Sequence, residues 1–258
     1  MSSKPSKEYR ERVSALDNVV RHCINVSQKF AGIRSLTGAH FFASALFTSL
    51  CTRGVSLAIL TPYSPWSKKK VEQWDYASIA GMTRSILEVR LAFFYLCTEE
   101  CPPEEWDCRW NIFNLHDCTA RIRLFEEMPG GSIDIIGFNA QAEELRTRLT
   151  TNPFFMSLPE KDKKKYLHGG HAYLHSLEDI AARVGIDIHT FRWLYKMLSS
   201  QVHGLPLAFY RMGQQERGRG VHSEVEEGYT QVCLSFAISL LVGAGDEMEH
   251  LFTEAKHT

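Results

Sequence analysis

Phe41-Phe42-Ala43-Ser44-Ala45-Leu46-Phe47-Thr48-Ser49-Leu50-Cys51-Thr52-Arg53-Gly54-Val55-Ser56-Leu57-Ala58-Ile59-Leu60 is apolar over about 20 residues, the length a bilayer demands of a helix. Whether it lies in lipid or in a protein core decides what the rest of the chain describes. Arg53 and Gly54 stand in its middle, with Ser44, Thr48, Ser49, Thr52 and Ser56 around them. A central arginine is costly in lipid, and small polar residues suit close helix packing inside a protein. A second apolar run, 232–244, falls short of a span. Both predict buried core helices, and no membrane partner is expected.

Composition agrees with that choice. The 258 residues carry 29 Lys plus Arg against 30 Asp plus Glu, a net charge of −1, with 44% hydrophobic and 23% charged residues. This balance excludes a disordered chain and argues against coating a polyanion by bulk charge, while leaving room for a local patch. Seven cysteines are scattered without a CxxC pair. The opening Met1-Ser2-Ser3-Lys4-Pro5-Ser6-Lys7 has no apolar run behind it, so no secretory leader is expected. Reduced thiols in a cytoplasm follow as the expectation.

Working outward, helical spacing and caps dominate. Ser6 and Gly32 bracket one helix, with Val13, Leu16, Val20, Cys23 and Ile24 as its apolar stripe. Thr37 caps the apolar helix, which stops before Pro62. A third helix begins near Val71 or Asp75 and runs to about Thr98, with Ile79, Met82, Ile86, Val89 and Phe93 on its core face. Pro102 and Pro103 start a fourth, broken by Pro129-Gly130-Gly131. A shorter helix covers 140–149, a loop-rich region follows over 151–175, and Ser176 opens a short helix closed by Gly185. Asp187 caps a helix through about His203, stopped by Gly204 and Pro206, and a long last helix covers 223–252. The predicted fold is all-α: a single helical-bundle domain over 1–258 of about seven to eight helices, with a small helical insertion near 130–186. Only brief pieces such as 132–138 alternate with the period of a strand.

The 187–203 helix carries the most informative spacing. At about 100° per residue, Arg192, Lys196, Ser199 and His203 fall in a sector roughly 60° wide, opposite an apolar stripe of Phe191, Leu194, Tyr195, Leu198 and Val202. Two cations, a hydroxyl and an imidazole in one column could hold a phosphodiester. His203 would be the acid/base of a catalytic set with Lys196 and Ser199, in which Lys196 and Arg192 contact the phosphate and Ser199 is an orienting hydroxyl. A solvated polar face ending in a carbonyl-capping histidine has the same spacing. Arg84 and Glu88 are four apart on an apolar helix and read as an ion pair that fixes helix register or orients Lys196 or His203. Arg211, Arg217 and Arg219, in the Gly-rich segment after His203, are further candidate substrate contacts, with Arg211 and Arg217 foremost. The runs Ser67-Lys68-Lys69-Lys70 and Lys161-Asp162-Lys163-Lys164-Lys165 read as solvated surface.

Other chemistries lack their pattern. His168, His171 and His175 have ligand-like spacing, but Gly169-Gly170 interrupts any helix carrying them, and Cys108, His116 and Cys118 splay around theirs, so no metal and no cofactor are expected. No GxSxG, HExxH, Gly-rich phosphate loop or motif for reading a DNA groove is present.

The segments Thr83-Arg84-Ser85-Ile86-Leu87-Glu88 and Leu194-Tyr195-Lys196-Met197-Leu198-Ser199-Ser200-Gln201-Val202-His203-Gly204 resemble a bacterial family of helical proteins known only as a domain of unknown function, over about 35–250. That resemblance implies that Arg84, Glu88, Ser199 and His203 are motif positions. More distantly the chain resembles the HEPN ribonucleases, whose arginine and histidine, four to six residues apart, work without metal between two protomers. The resemblance implies a homodimer binding or cleaving RNA. Here Lys196 stands in the arginine's place, with Met197 after it, and lysine keeps the charge without the fork that fits a phosphate. A non-catalytic module binding a protein or nucleotide is the alternative expectation.

Overall fold

Ser6, Thr37, Asp75 and Asp187 each accept a hydrogen bond from the backbone N–H three residues on, at 2.8 to 3.4 Å, as an N-cap does. The computed structural model describes residues 4–129, 135–206, 208, 218 and 220–254. They form α1 (Lys7–Lys29), α2 (Gly38–Leu60), α3 (Tyr76–Phe93), α4 (Pro103–Glu127), α5 (Ile135–Thr151), α6 (Pro153–Ser157), α7 (Glu160–Leu167), α8 (Leu177–Arg183), α9 (Ile188–Val202) and α10 (Glu224–Glu254). A π-helical turn, Phe94–Thr98, continues α3. Among the described residues there is no strand, only an isolated bridge between Trp74 and Gly220. The protein is all-α.

The residues fall into two compact units, Met1–Thr98 with Ile180–Thr258, and Glu99–Asp179. In the first, α2 packs against α1, α3 and α10, and α3 also against α9 and α10. Its core includes Leu16, Val20, Phe47, Leu50, Leu57, Ile79, Ile86 and Leu241, all at most 1% exposed. Gly54 lets α2 pack closely on α1 and α10: a Cβ there would sit 3.2 Å from Val20 and 3.3 Å from Leu241. Arg53 turns aside, and its Nε donates to the Ser85 hydroxyl at 2.7 Å. Lys69, expected to be solvated, instead donates to the carbonyls of Leu60 and Thr61 at 3.1 and 2.9 Å, closing the end of α2. Burial lowers its pKa.

By length and composition alone, α2 and Glu224–Thr253 of α10 could each cross a membrane. The 232–244 run was expected to be too short; the helix around it supplies the missing length. In this unit both helices nonetheless bury side chains against their neighbours.

The Glu99–Asp179 unit has its own core, built from Cys108, Ile112, Leu115, Leu145, Leu149 and Phe155. It begins about 30 residues before the insertion expected near 130–186, because α4 packs chiefly on α5. The 151–175 region, expected to be loop-rich, contains α6 and α7. Asn152 caps α6 and donates to the Glu104 carbonyl at 2.9 Å, a long-range bond no local pattern announces. Arg109, only 1% exposed, is held by Glu99 and Glu105.

Candidate functional site

The α9 helix presents three flanks. Phe191, Leu194 and Leu198 are buried, as the apolar stripe requires, and Tyr195 is half-buried. Val202 departs from the expectation at 53% exposed: it lies over Gly81, which has no side chain to cover it. In the column, Arg192, Lys196 and His203 are exposed and Ser199 is half-buried. His203 is the C-cap of α9, its backbone N–H donating to the Ser199 carbonyl at 3.0 Å. The Ser199 hydroxyl accepts from Arg84 Nε at 3.2 Å. Arg211, Arg217 and Arg219 lie outside the described residues.

Arg84 and Glu88 do form their ion pair, yet Glu88 is 48% exposed, so the pair is not buried as a unit. Arg84 reaches across to α9, its guanidinium 3.9 Å from the centre of the Tyr195 ring. The buried arginine of this helix is Arg90, 3% exposed and paired with Glu247 of α10. Its partner is 157 residues away, beyond the reach of a spacing argument.

A cavity of about 480 Å³ opens on a different flank of α9, lined by Trp193, Met197 and Gln201 together with Tyr76 of α3 and Glu226 and Tyr229 of α10. That volume lies within the range of small-molecule pockets. By the helical step, its α9 residues are centred roughly 120° around from the column. The Tyr76 and Tyr229 rings are 5.1 Å apart, and Trp193 is 49% exposed. Glu226 is 2% exposed, and its Oε1 accepts from the Gly218 N–H at 2.7 Å. The Gln201 amide oxygen is buried without a hydrogen-bond partner among the described residues. Sequence spacing singled out none of these six residues. The available signal was Trp193 with Met197, an apolar pair at i, i+4 that belongs neither to the core stripe nor to the polar column.

The histidines of the other unit are arranged differently. α7 ends at Leu167, His168 is its C-cap, and Gly169 takes a left-handed φ of 73°, so His168, His171 and His175 do not share a helix. His116 Nδ1 lies 3.0 Å from the Gly169 carbonyl, which also accepts from Thr119 Oγ1 at 2.8 Å. A Cβ at Gly169 would meet Thr119 at 2.5 Å, so glycine is required twice over. Among the described residues no three His, Cys, Asp or Glu side chains gather as a metal site would need.

Burial governs the thiols: it pushes the pKa of Cys23, Cys108 and Cys233 up to about 12 and that of Cys51 up to about 11. Such groups stay protonated and unreactive near neutrality.

Fold and site together define a helical-bundle protein with a ligand-sized cavity beside an exposed cationic column. Residues 40–220 match the model of a family of unknown function, DUF5677, and the chain belongs to that family. Both motif segments lie inside the match, which is narrower than the expected 35–250 and ends before Glu226 and Tyr229. No curated protein and no solved structure matches the chain.

Proposed function

We propose that the protein binds single-stranded RNA along α9, with a base in the cavity and phosphates on Arg192, Lys196 and His203. The observation that carries this is the sharing of one helix by an aromatic-lined cavity and an exposed cationic column. On a helix about 10 Å across, flanks 120° apart are separated by about 10 Å of surface. Single strands are held in this manner, by aromatic faces for bases and cations for the backbone. The proposal takes the protein to be cytoplasmic and free of metal and cofactor.

Binding is favoured over cleavage because Lys196 lacks the guanidinium fork of the HEPN-like arginine and because the Ser199 hydroxyl is engaged by Arg84. Cleavage remains the second reading, favoured by one observation, the exposed imidazole of His203 on the same helix flank as the exposed Lys196, two turns away. In that reading His203 moves the proton, and a second copy of the chain completes the cleft.

The test is fluorescence anisotropy of a labelled single-stranded RNA at several salt concentrations. Binding that weakens with salt and drops at least about tenfold in Lys196→Glu supports the proposal. Absence of binding at low salt, or affinity indifferent to Lys196→Glu, overturns it.

A further inference from the structure

In the Glu99–Asp179 unit, positive groups gather around the turn that follows α7. The exposed His171 ring lies edge-on to Tyr166, centroids 6.3 Å apart, and the Lys165 ammonium lies 5.1 Å from the centre of the same Tyr166 ring. His116 of α4 is tied to the turn through Nδ1, 3.0 Å from the Gly169 carbonyl. Desolvation lowers the His171 pKa, and the charges of Lys165 and His116 lower it further. Like charges brought together from α4, α7 and the turn cost stability, and a bound anion would reverse that cost.

The groups that would repel an anion here are already engaged. The end of α7 exposes carbonyls, but that of Lys164 accepts from the His168 N–H, that of Tyr166 from the Gly169 N–H and that of Leu167 from Arg146 Nε. The Gly169 carbonyl accepts from Thr119 Oγ1. Of the nearby carboxylates, Asp117 pairs with Arg121 and Glu143 with Arg146, while Asp162 of α7 acts on Tyr166. Arg123, also exposed, donates to the Thr119 carbonyl and adds positive charge on α4. The exposed Gly170 N–H donates to no group among the described residues.

We infer that His116, Lys165 and His171 form a binding site for a phosphate group at the Gly169–Gly170 turn. Lys165 supplies a permanent charge, the two imidazoles donate when protonated, and the Gly170 N–H is a further donor that no side chain shields. The site lies in the unit that does not carry α9, and it does not depend on the RNA reading. A bound anion favours charged His171, so binding takes up protons and strengthens as pH falls through the histidine range.

The test is calorimetric titration of the full chain with inorganic phosphate, and with inorganic sulfate, whose charge stays fixed between pH 6 and pH 8. Sulfate should bind at least about fivefold more tightly at pH 6 than at pH 8, with a heat that varies with the ionisation heat of the buffer. His171→Gln and Lys165→Gln, both at exposed positions, should each weaken phosphate at pH 6 at least about fivefold. His171→Gln should also flatten the sulfate pH dependence. Lys161→Gln, which removes a charge from the start of α7, should change either affinity less than about twofold. A labelled single-stranded RNA without terminal phosphates distinguishes the two sources of the group. Weaker RNA binding in His171→Gln assigns the site to backbone phosphates; unchanged RNA binding beside lost phosphate binding assigns it to a free phosphate group. Absence of anion binding at pH 6 and low salt up to about 10 mM overturns the inference. So does affinity indifferent to pH or to both substitutions, or weakened equally by Lys161→Gln.

Discussion

Arg84 on α3 donates from Nε to the Ser199 hydroxyl on α9, 3.2 Å away, while its guanidinium lies over the Tyr195 ring one helical turn earlier. Two residues 115 apart in the chain thereby fix how these helices meet. This contact makes Ser199 a partner of the packing arginine. Ser199→Ala should cost about 1 kcal/mol of stability and leave RNA affinity within about twofold. In urea denaturation, Arg84→Met combined with Ser199→Ala should show a coupling of about 0.5–1.5 kcal/mol. Strict additivity of the two changes would show that the contact contributes nothing.

The Gly54 position makes a prediction about packing. With Val20 and Leu241 already at contact distance from a hypothetical Cβ, Gly54→Leu forces α2 away from α1 and α10. A loss of about 1–3 kcal/mol is expected, read as a lower denaturation midpoint. An unchanged midpoint would mean that the helices are not packed this closely.

Acid should act through Glu227. Burial raises its pKa, but hydrogen bonds from Ser6 and His222 outweigh that and hold it below its ordinary value near 4.5. The Ser6 N–H lies 3.2 Å from both carboxylate oxygens, and His222 Nε2 lies 2.6 Å from one. A group whose folded pKa is depressed stabilises fully above its unfolded pKa and loses that contribution as pH falls through the folded one. Melting temperature should therefore drop below about pH 4.5, and Glu227→Gln should shrink the gap between pH 6 and pH 3. An identical pH profile in the variant would remove Glu227 from the account.

Thiol labelling offers a direct check on burial. Cys101 is half-buried, whereas Cys23, Cys51, Cys97, Cys108, Cys118 and Cys233 are buried. Iodoacetamide on the native protein at pH 8 should give one adduct by mass spectrometry, abolished by Cys101→Ser, with the others labelled only after denaturation. Rapid labelling of several thiols in the native protein would contradict the core described above.

Local chemistry was legible in the chain. Ser6, Thr37, Asp75 and Asp187 announce helix starts because a short polar side chain can reach only its own first-turn N–H groups, and that interaction spans three residues. The stripes of α1 and α9 follow from the 3.6-residue turn, and Arg53 with Gly54 marks α2 as a helix with a close neighbour. The α9 column was readable for the same reason, as was the Arg84–Glu88 pair.

What the sequence by itself determined is thus an all-α chain, the starts of its principal helices, and which flank of each is apolar, since these depend on interactions within a turn or two. Tertiary structure alone decided that Arg84 meets Ser199, that Arg90 is the buried arginine, that Lys69 closes α2, and that Gln201, Trp193, Glu226 and Tyr76 enclose one cavity. The Lys69 contact spans eight or nine residues, but the others join α3 to α9 and α10 across more than a hundred. They depend on how the helices rotate as their apolar flanks are buried together, which no single segment encodes.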